Sequence, residues 1–163
     1  MNSINTSCRI GVFYDGNFLL HASNYYNYIH PERRRLSLNG LHRFIRHRVA
    51  EEAGCETVKC QISVAHYFRG RLNASEAAMR GNQLYNDRVF DDILMSEGVN
   101  THYLPLRNVQ GRREERGVDV WLALEAYELV LSGTIDIIVL IVSDTDSTPL
   151  MRKIRAAGIP IML

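Results

Sequence analysis

The chain has 163 residues, 46% of them hydrophobic and 23% charged, a balance that excludes disordered and fibrous polymers and suffices for one core without disulfide support. Lys and Arg total 19 against 18 Asp and Glu, a net charge of +1. Any affinity for a polyanion must therefore come from where the charges sit and not from their sum.

Along the chain, "RIGVFYDGN" (9–17) reads as a short buried strand ending in turn chemistry. "FLLHASNYYNYIH" starts a helix that breaks at Pro31. "SLNGLHRFIRHRVAEEAG" is a helix closed by Gly54, with Leu41, Phe44, Ile45 and Val49 at helical spacing. "VKCQISVAHYF" (58–68) is a strand. "RGRLNASEAAMRGNQ", polar and holding Gly70 and Gly81, predicts a loop, followed by a helix over 84–96. "VNTHYLPL" (99–106) is a strand halted at Pro105, and "RNVQGRREERG" a charged loop. "VDVWLALEAYELVLSG" (118–133) is a helix with a Gly stop, and "IDIIVLIVS" the most apolar strand of the chain. "STPLMRKIRAAG" is a short helix, with Ser147 or Thr148 as cap and Pro149 in its first turn. "IPIML" begins one more strand. Strand and helix alternate five times, which predicts an α/β fold: a parallel sheet with helices on both faces. A single domain over 1–163 is expected. Because domains rarely finish on a strand, a C-terminal truncation is part of that expectation.

Three cysteines, Cys8, Cys55 and Cys60, are too few and too scattered for a disulfide framework or a zinc knuckle. No apolar run is long enough to cross a membrane, and the first sixteen residues lack a basic region followed by an apolar core. A cytoplasmic protein without membrane association is expected.

Carboxylates mark the candidate site. In open α/β sheets, ligands bind beyond the carboxyl ends of the strands, where the strand order reverses. Asp15 follows one apolar strand, and Asp144 and Asp146 follow another. Asp119 opens a helix, and its spacing with Ala123, Ala126 and Val130 sets it beside an apolar face. If the first and fourth strands are neighbours, these acids converge, and their mutual repulsion calls for a cation. Mg²⁺ or Mn²⁺, which prefer oxygen ligands, would relieve it, and such a site suits phosphodiester hydrolysis. Asn17 adds a neutral amide able to orient a ligand. Each element alone is weak: Asp-Gly-Asn is common in turns, and an acid in the first turn of a helix is ordinary. Their joint placement carries the argument.

A phosphate track would draw on arginines. Arg112, Arg113 and Arg116 approach Asp119, and Arg69 and Arg71 follow the second strand, although Glu114 and Glu115 dilute the first group. His66, Tyr67 and Phe68 offer aromatic rings for stacking or for the core. An aspartyl-nucleophile phosphatase is rejected because its motif belongs after the first strand with a large domain downstream, not near residue 144. His42 and His47, five apart, fall on different sides of a helix and make no zinc set.

"IGVFYDGNFL", "ERGVDVWLALEAYELV" and "IDIIVLIVSDTDSTPLMRKIRAAGIPIML" closely resemble the NYN domain family, in its LabA-like branch, within the PIN-like nuclease superfamily. The resemblance covers nearly the whole chain and is weakest between residues 25 and 99. It implies a Rossmann-like three-layer α/β/α fold with a five-stranded parallel sheet of order 3-2-1-4-5. It implies metal ligands at Asp15, Asp119, Asp144 and Asp146, with Asn17 and Ser143 beside them, and metal-dependent endoribonuclease activity on RNA, single-stranded RNA foremost. Homodimerisation is compatible with it. The chain departs from the family at Arg116, where Lys is frequent, at Glu125, where Asp is frequent, and at Ser143 and Ser147, where Gly and Phe are usual. Glu125, on one stripe with Val118, Trp121 and Leu129, reads as a partly buried helix carboxylate in preference to one supporting the metal. Two other functions fit the same residues: an RNA- or protein-binding regulator that does not cut, and a hydrolase of a small phosphorylated metabolite.

Overall fold

The computed structural model describes residues 7–143 and 147–163. In chain order its elements are β1 (Cys8–Asp15), α1 (Gly16–Tyr28), α2 (Leu38–Ala53), β2 (Cys60–Arg71), α3 (Ala74–Ala78), α4 (Gln83–Ser96), β3 (Asn100–Pro105), β4 (Arg107–Val109), β5 (Arg112–Glu114), α5 (Val118–Leu131), β6 (Ile137–Ile141), α6 (Thr148–Ala156) and β7 (Ile161–Met162). A single 3₁₀ turn, Thr57–Lys59, leads into β2.

β1 sits at the centre because it is apolar on both faces. It pairs in parallel with β2 on one side and β6 on the other. β3 flanks β2 and β7 flanks β6, so the sheet runs β3-β2-β1-β6-β7. Counted over these five parallel strands, that is the expected order 3-2-1-4-5. Ile10, Val12 and Tyr14 face a core shared with α1, α2 and α4 through Leu19, Val49 and Leu94. Phe13, Ile138 and Leu140 face the other core, filled by Leu122, Ala126 and Val130 of α5 and Ile154 of α6. The result is three layers, helix, sheet and helix.

The pairing of β1 with β2 skips one residue: Ile10 opposes Ile62, but Gly11 opposes Val64. Ser63 is the extra residue of this bulge, and its hydroxyl donates to the Ile10 carbonyl at 3.3 Å. Below the bulge Cys60 and Ile62 face the α2 side; above it Ala65 and Tyr67 do, while Phe68 faces α5. Local rules close the helices as expected. Ser37 caps α2 through the Gly40 N–H, and Gly54 ends it at φ 61°. The three cysteines are free, with the Cys55 and Cys60 sulfurs 3.5 Å apart at the base of the sheet.

Two segments expected as loops are ordered elements. β2 runs on through Arg71, and the short α3 follows, capped by Asn73. Gly70 does not break the strand; it is buried there because a Cβ would lie 2.6 Å from Leu106 and 2.9 Å from Glu115. The charged stretch 107–114 is a hairpin. Gln110 and Gly111 both take positive φ, 49° and 80°, the backbone of a two-residue turn that matches strand twist. The Asn108 side chain accepts from the Gly111 N–H. At the start of α6 Ser147 makes no capping bond to the helix; its hydroxyl donates instead to the Ser143 carbonyl at 2.9 Å.

Gly16 fixes how α1 leaves the sheet. A Cβ there would stand 2.5 Å from Tyr67 Cζ and 2.8 Å from the Phe68 carbonyl oxygen, neither of which can retreat from a packed interior. Gly16→Ala should therefore cost about 2 kcal/mol or more, lowering the denaturation midpoint. Gly40→Ala, in an open part of α2 where the nearest atom is 3.4 Å away, should stabilise by a few tenths to about 1 kcal/mol through helix propensity. Urea unfolding of both variants beside wild type checks the contrast.

Candidate active site

The strand order reverses between β1 and β6: α1 leaves β1 toward one face, whereas α6, after β6, packs on the other. A crevice at the carboxyl ends of these two strands follows from that topology. Asp15 closes β1 and caps α1, its Oδ1 accepting from the Asn17 N–H at 2.9 Å and the Phe18 N–H at 3.1 Å. The helix N-terminus favours its negative charge. Asn17 is exposed in the first turn.

Asp119 lies in the first turn of α5, after Gly117 at φ 82°. Its side chain is exposed. The buried stripe of α5 is Val118, Leu122, Ala126 and Val130, which shares Ala126 and Val130 with the face expected from spacing.

A further acid joins them. Glu115 turns inward beside the end of β2, where its Oε2 accepts from the Gly70 N–H at 2.6 Å. Burial pushes its carboxyl up and the Gly70 N–H draws it back; the Asp15 charge pushes it up again, Arg69 opposes, and Asp119 adds to the rise. Asp15, Glu115 and Asp119 thus share one electrostatic field. Glu114, by contrast, pairs outward with Arg116 at 3.0 Å. Nothing in "REERG" marks which glutamate turns in; the signal is the missing side chain at Gly70, forty-five residues earlier. Asp144 and Asp146 lie outside the described residues. Ser143 follows β6 and is half-buried.

Tyr67 borders the same group. Burial raises its phenol, the Arg69 guanidinium lowers it, and Glu115 and Asp15 raise it again. The five arginines divide. Arg71 pairs with Asp91 at 2.8 Å and lies 4.0 Å over the Tyr103 ring. Arg113 pairs with Glu76, and Arg116 with Glu114. Arg69 and Arg112 have no ion pair among the described residues. Behind β2, on the α5 side, His66 Nδ1 and His102 Nε2 are hydrogen-bonded at 2.8 Å, and Phe68 stacks on His102 at 4.4 Å. Glu125 is half-buried and accepts from Trp121 Nε1 at 3.0 Å, a packing role that suits a helix carboxylate.

Carboxylate oxygens without thiolate or imidazole are the donor set of a hard divalent cation, and the upward push on Glu115 is the cost that such a cation would relieve. The residues present therefore fit Mg²⁺ or Mn²⁺ in chemistry. Among the described residues, no group of three or more His, Cys, Asp or Glu is by itself arranged to hold a metal ion; two of the four expected ligands lie outside them. No helix among them is long and apolar enough to cross a membrane.

Sheet order, crevice and acids define a three-layer α/β domain of the PIN-like kind. The NYN domain model matches residues 9–163, and the chain belongs to the NYN family, whose members have the PIN-like nuclease fold. Members are generally ribonucleases that bind RNA and use divalent metals. No curated protein and no solved structure matches the chain.

Burial lowers the pKa of His42, His66 and His102 below the ordinary 6.5. As pH falls, the unfolded chain takes up these protons before the folded one does. The stability due to neutral histidines is complete above the unfolded value and declines as pH falls through it. Thermal midpoints should drop between about pH 7.5 and 5.5, and His102→Gln should drop less steeply over the same range.

Proposed function

We propose that this protein is a metal-dependent endoribonuclease acting on single-stranded RNA. The observation that carries the reading is the placement of Asp15 at the tip of the central strand, held by two helix amides, with Glu115 bonded to the end of the neighbouring strand, in a chain of a nuclease-fold family. Asp15 and Asp119, with Asp144 and Asp146, are the residues that would hold Mg²⁺ or Mn²⁺. When bound, such a cation supplies positive charge for the phosphate and lowers the pKa of water.

The chain's own groups set up the rest. Two amides at the start of α1 hold the Asp15 carboxylate in place. Glu115, whose carboxyl is pushed up by burial and by the Asp15 and Asp119 charges and drawn back by the Gly70 N–H and Arg69, sits at the end of β2 beside the crevice, a position from which a carboxyl can exchange a proton with a bound ligand. Asn17 can orient a ligand without adding charge. Arg69 and Arg112, free of carboxylate partners among the described residues, are the arginines available to phosphates, whereas Arg71, Arg113 and Arg116 serve the fold first. Water is the nucleophile, and no covalent enzyme intermediate is required.

Labelled single-stranded RNA and DNA, incubated with Mn²⁺, Mg²⁺ or EDTA, test this against Asp15→Asn, Asp119→Asn and Asp144→Asn purified in parallel. Asn caps a helix as well as Asp does, so Asp15→Asn should fold. RNA cleavage should need metal and fall on the order of 100-fold or more in each variant, the usual scale for losing a group that stabilises developing charge. Undiminished cleavage in all three would remove the site assignment. Mn²⁺ should also raise the wild-type melting temperature, and less so in the variants, because it binds the folded state. Metal-dependent stabilisation without any cleavage would favour the regulator that binds but does not cut.

A further inference from the structure

A cavity of about 560 Å³ lies between α1, α4 and the segment that leads into α2. That is the size of small-molecule sites in general. We propose that it is a nucleotide subsite: it takes one base and ribose of the RNA strand beside the cleaved phosphate, and it selects the base. The proposal rests on the nuclease reading for how the nucleotide arrives, but not for what the cavity binds.

Position is the first argument. Tyr67 and Arg69 line the cavity and also belong to the field of the carboxylates. Register sets Tyr14 beside Tyr67 and Asp15 beside Phe68, so the cavity begins one strand, about 4.8 Å, from the proposed metal ligand. A strand with one phosphate at the acids would meet the cavity with its next residue.

Chemistry is the second. The half-buried Phe90 and Leu36 supply apolar surface, and Phe90 is braced edge to face by the buried Tyr67 at 5.5 Å, a fixed ring on which a base can stack. The side-chain amides of Asn24 and Asn86 line the same space and make no hydrogen bond among the described residues. Each carries both donor and acceptor, the pair a base edge demands. Arg35 and Arg69 bring two cations that have no ion pair among the described residues. The two acids of the wall are already engaged: Asp87 accepts from Gln83, and Glu97 accepts from Asn39 and pairs with His42. A ligand with a flat polar ring and a phosphate matches this lining. A purely apolar peptide would leave both amides and both guanidiniums unmatched.

The test is titration of the full chain in EDTA with the 5′-monophosphates of adenosine, cytidine, guanosine and uridine, and with ribose 5-phosphate, by calorimetry or NMR. One nucleotide should bind about tenfold tighter than the weakest and than ribose 5-phosphate. Asn86→Leu and Asn24→Leu, both at exposed positions and checked for an unchanged melting temperature, should shrink that difference to about twofold. Asp119→Asn should leave it intact. Equal binding of all five ligands, no binding, or a preference untouched by both amide variants would overturn the subsite. The two readings fail separately. Metal-dependent cleavage without nucleotide selection keeps the nuclease and removes the subsite. Selective binding of one nucleotide by a protein that cuts no RNA keeps the subsite and removes the nuclease.

Discussion

The carboxyl edge of this sheet depends on one steric constraint: the first residue of α1 touches the end of β2 so closely that it can carry no side chain. The contact turns the chain sharply after β1 and leaves Asp15 at the tip of the central strand, where two helix amides fix it. A second glycine repeats the device. Without a Cβ at Gly70, Glu115 can reach the β2 backbone and turn its carboxyl toward Asp15 and Asp119. Two absent side chains thus bring together acids that are about a hundred residues apart in sequence.

The arrangement is costly by itself. Burial disfavours ionisation of Glu115, and the Asp15 and Asp119 charges add to the penalty. Elsewhere the molecule neutralises its acids: Asp136 with Arg9, Asp91 with Arg71, Glu76 with Arg113. The contrast between paired acids across the surface and crowded acids at one crevice is the pattern of a site kept for function at the expense of stability. Position decides which arginines serve which purpose. The strongest basic run of the second half, Arg112 to Arg116, is largely consumed by hairpin and helix contacts, whereas the less conspicuous Arg69 faces the crevice and the cavity together.

Much of the fold was legible. β1 and β6 were plain from unbroken apolar runs, α2 from its spacing and its Ser37 and Gly54 boundaries, and the layer order from the alternation of strand and helix. Asp15 at the end of β1 was legible for the same reason, since charge after a buried run has few structural uses. What stayed hidden depended on contacts across the chain. Gly70 has the look of a breaker until its neighbours Leu106 and Glu115 are known. The β4–β5 turn uses Gln-Gly, a weaker signal than Asn-Gly, and its charges pointed to a loop. The cavity had no sequence signature, being lined from three helices, a connecting segment and the end of β2.

The bulge at Ser63 carries a last consequence. One inserted residue reverses the alternation of β2 at mid-strand, so that Tyr67 and Arg69 look toward the cavity and Phe68 toward α5. Were Ser63 instead paired as an ordinary strand residue, with no bulge, those assignments would exchange: Tyr67 and the Arg69 guanidinium would pass through the sheet to the opposite layer, and glycine would stand where the arginine is. Residue identity at the working end is therefore subordinate to a parity set some four positions earlier. Divergence of this chain should tolerate altered letters in lower β2, and even loss of the bulged residue, far better than a bulge lost with its residue kept, whereas the loop after α3 can absorb insertions without inverting anything.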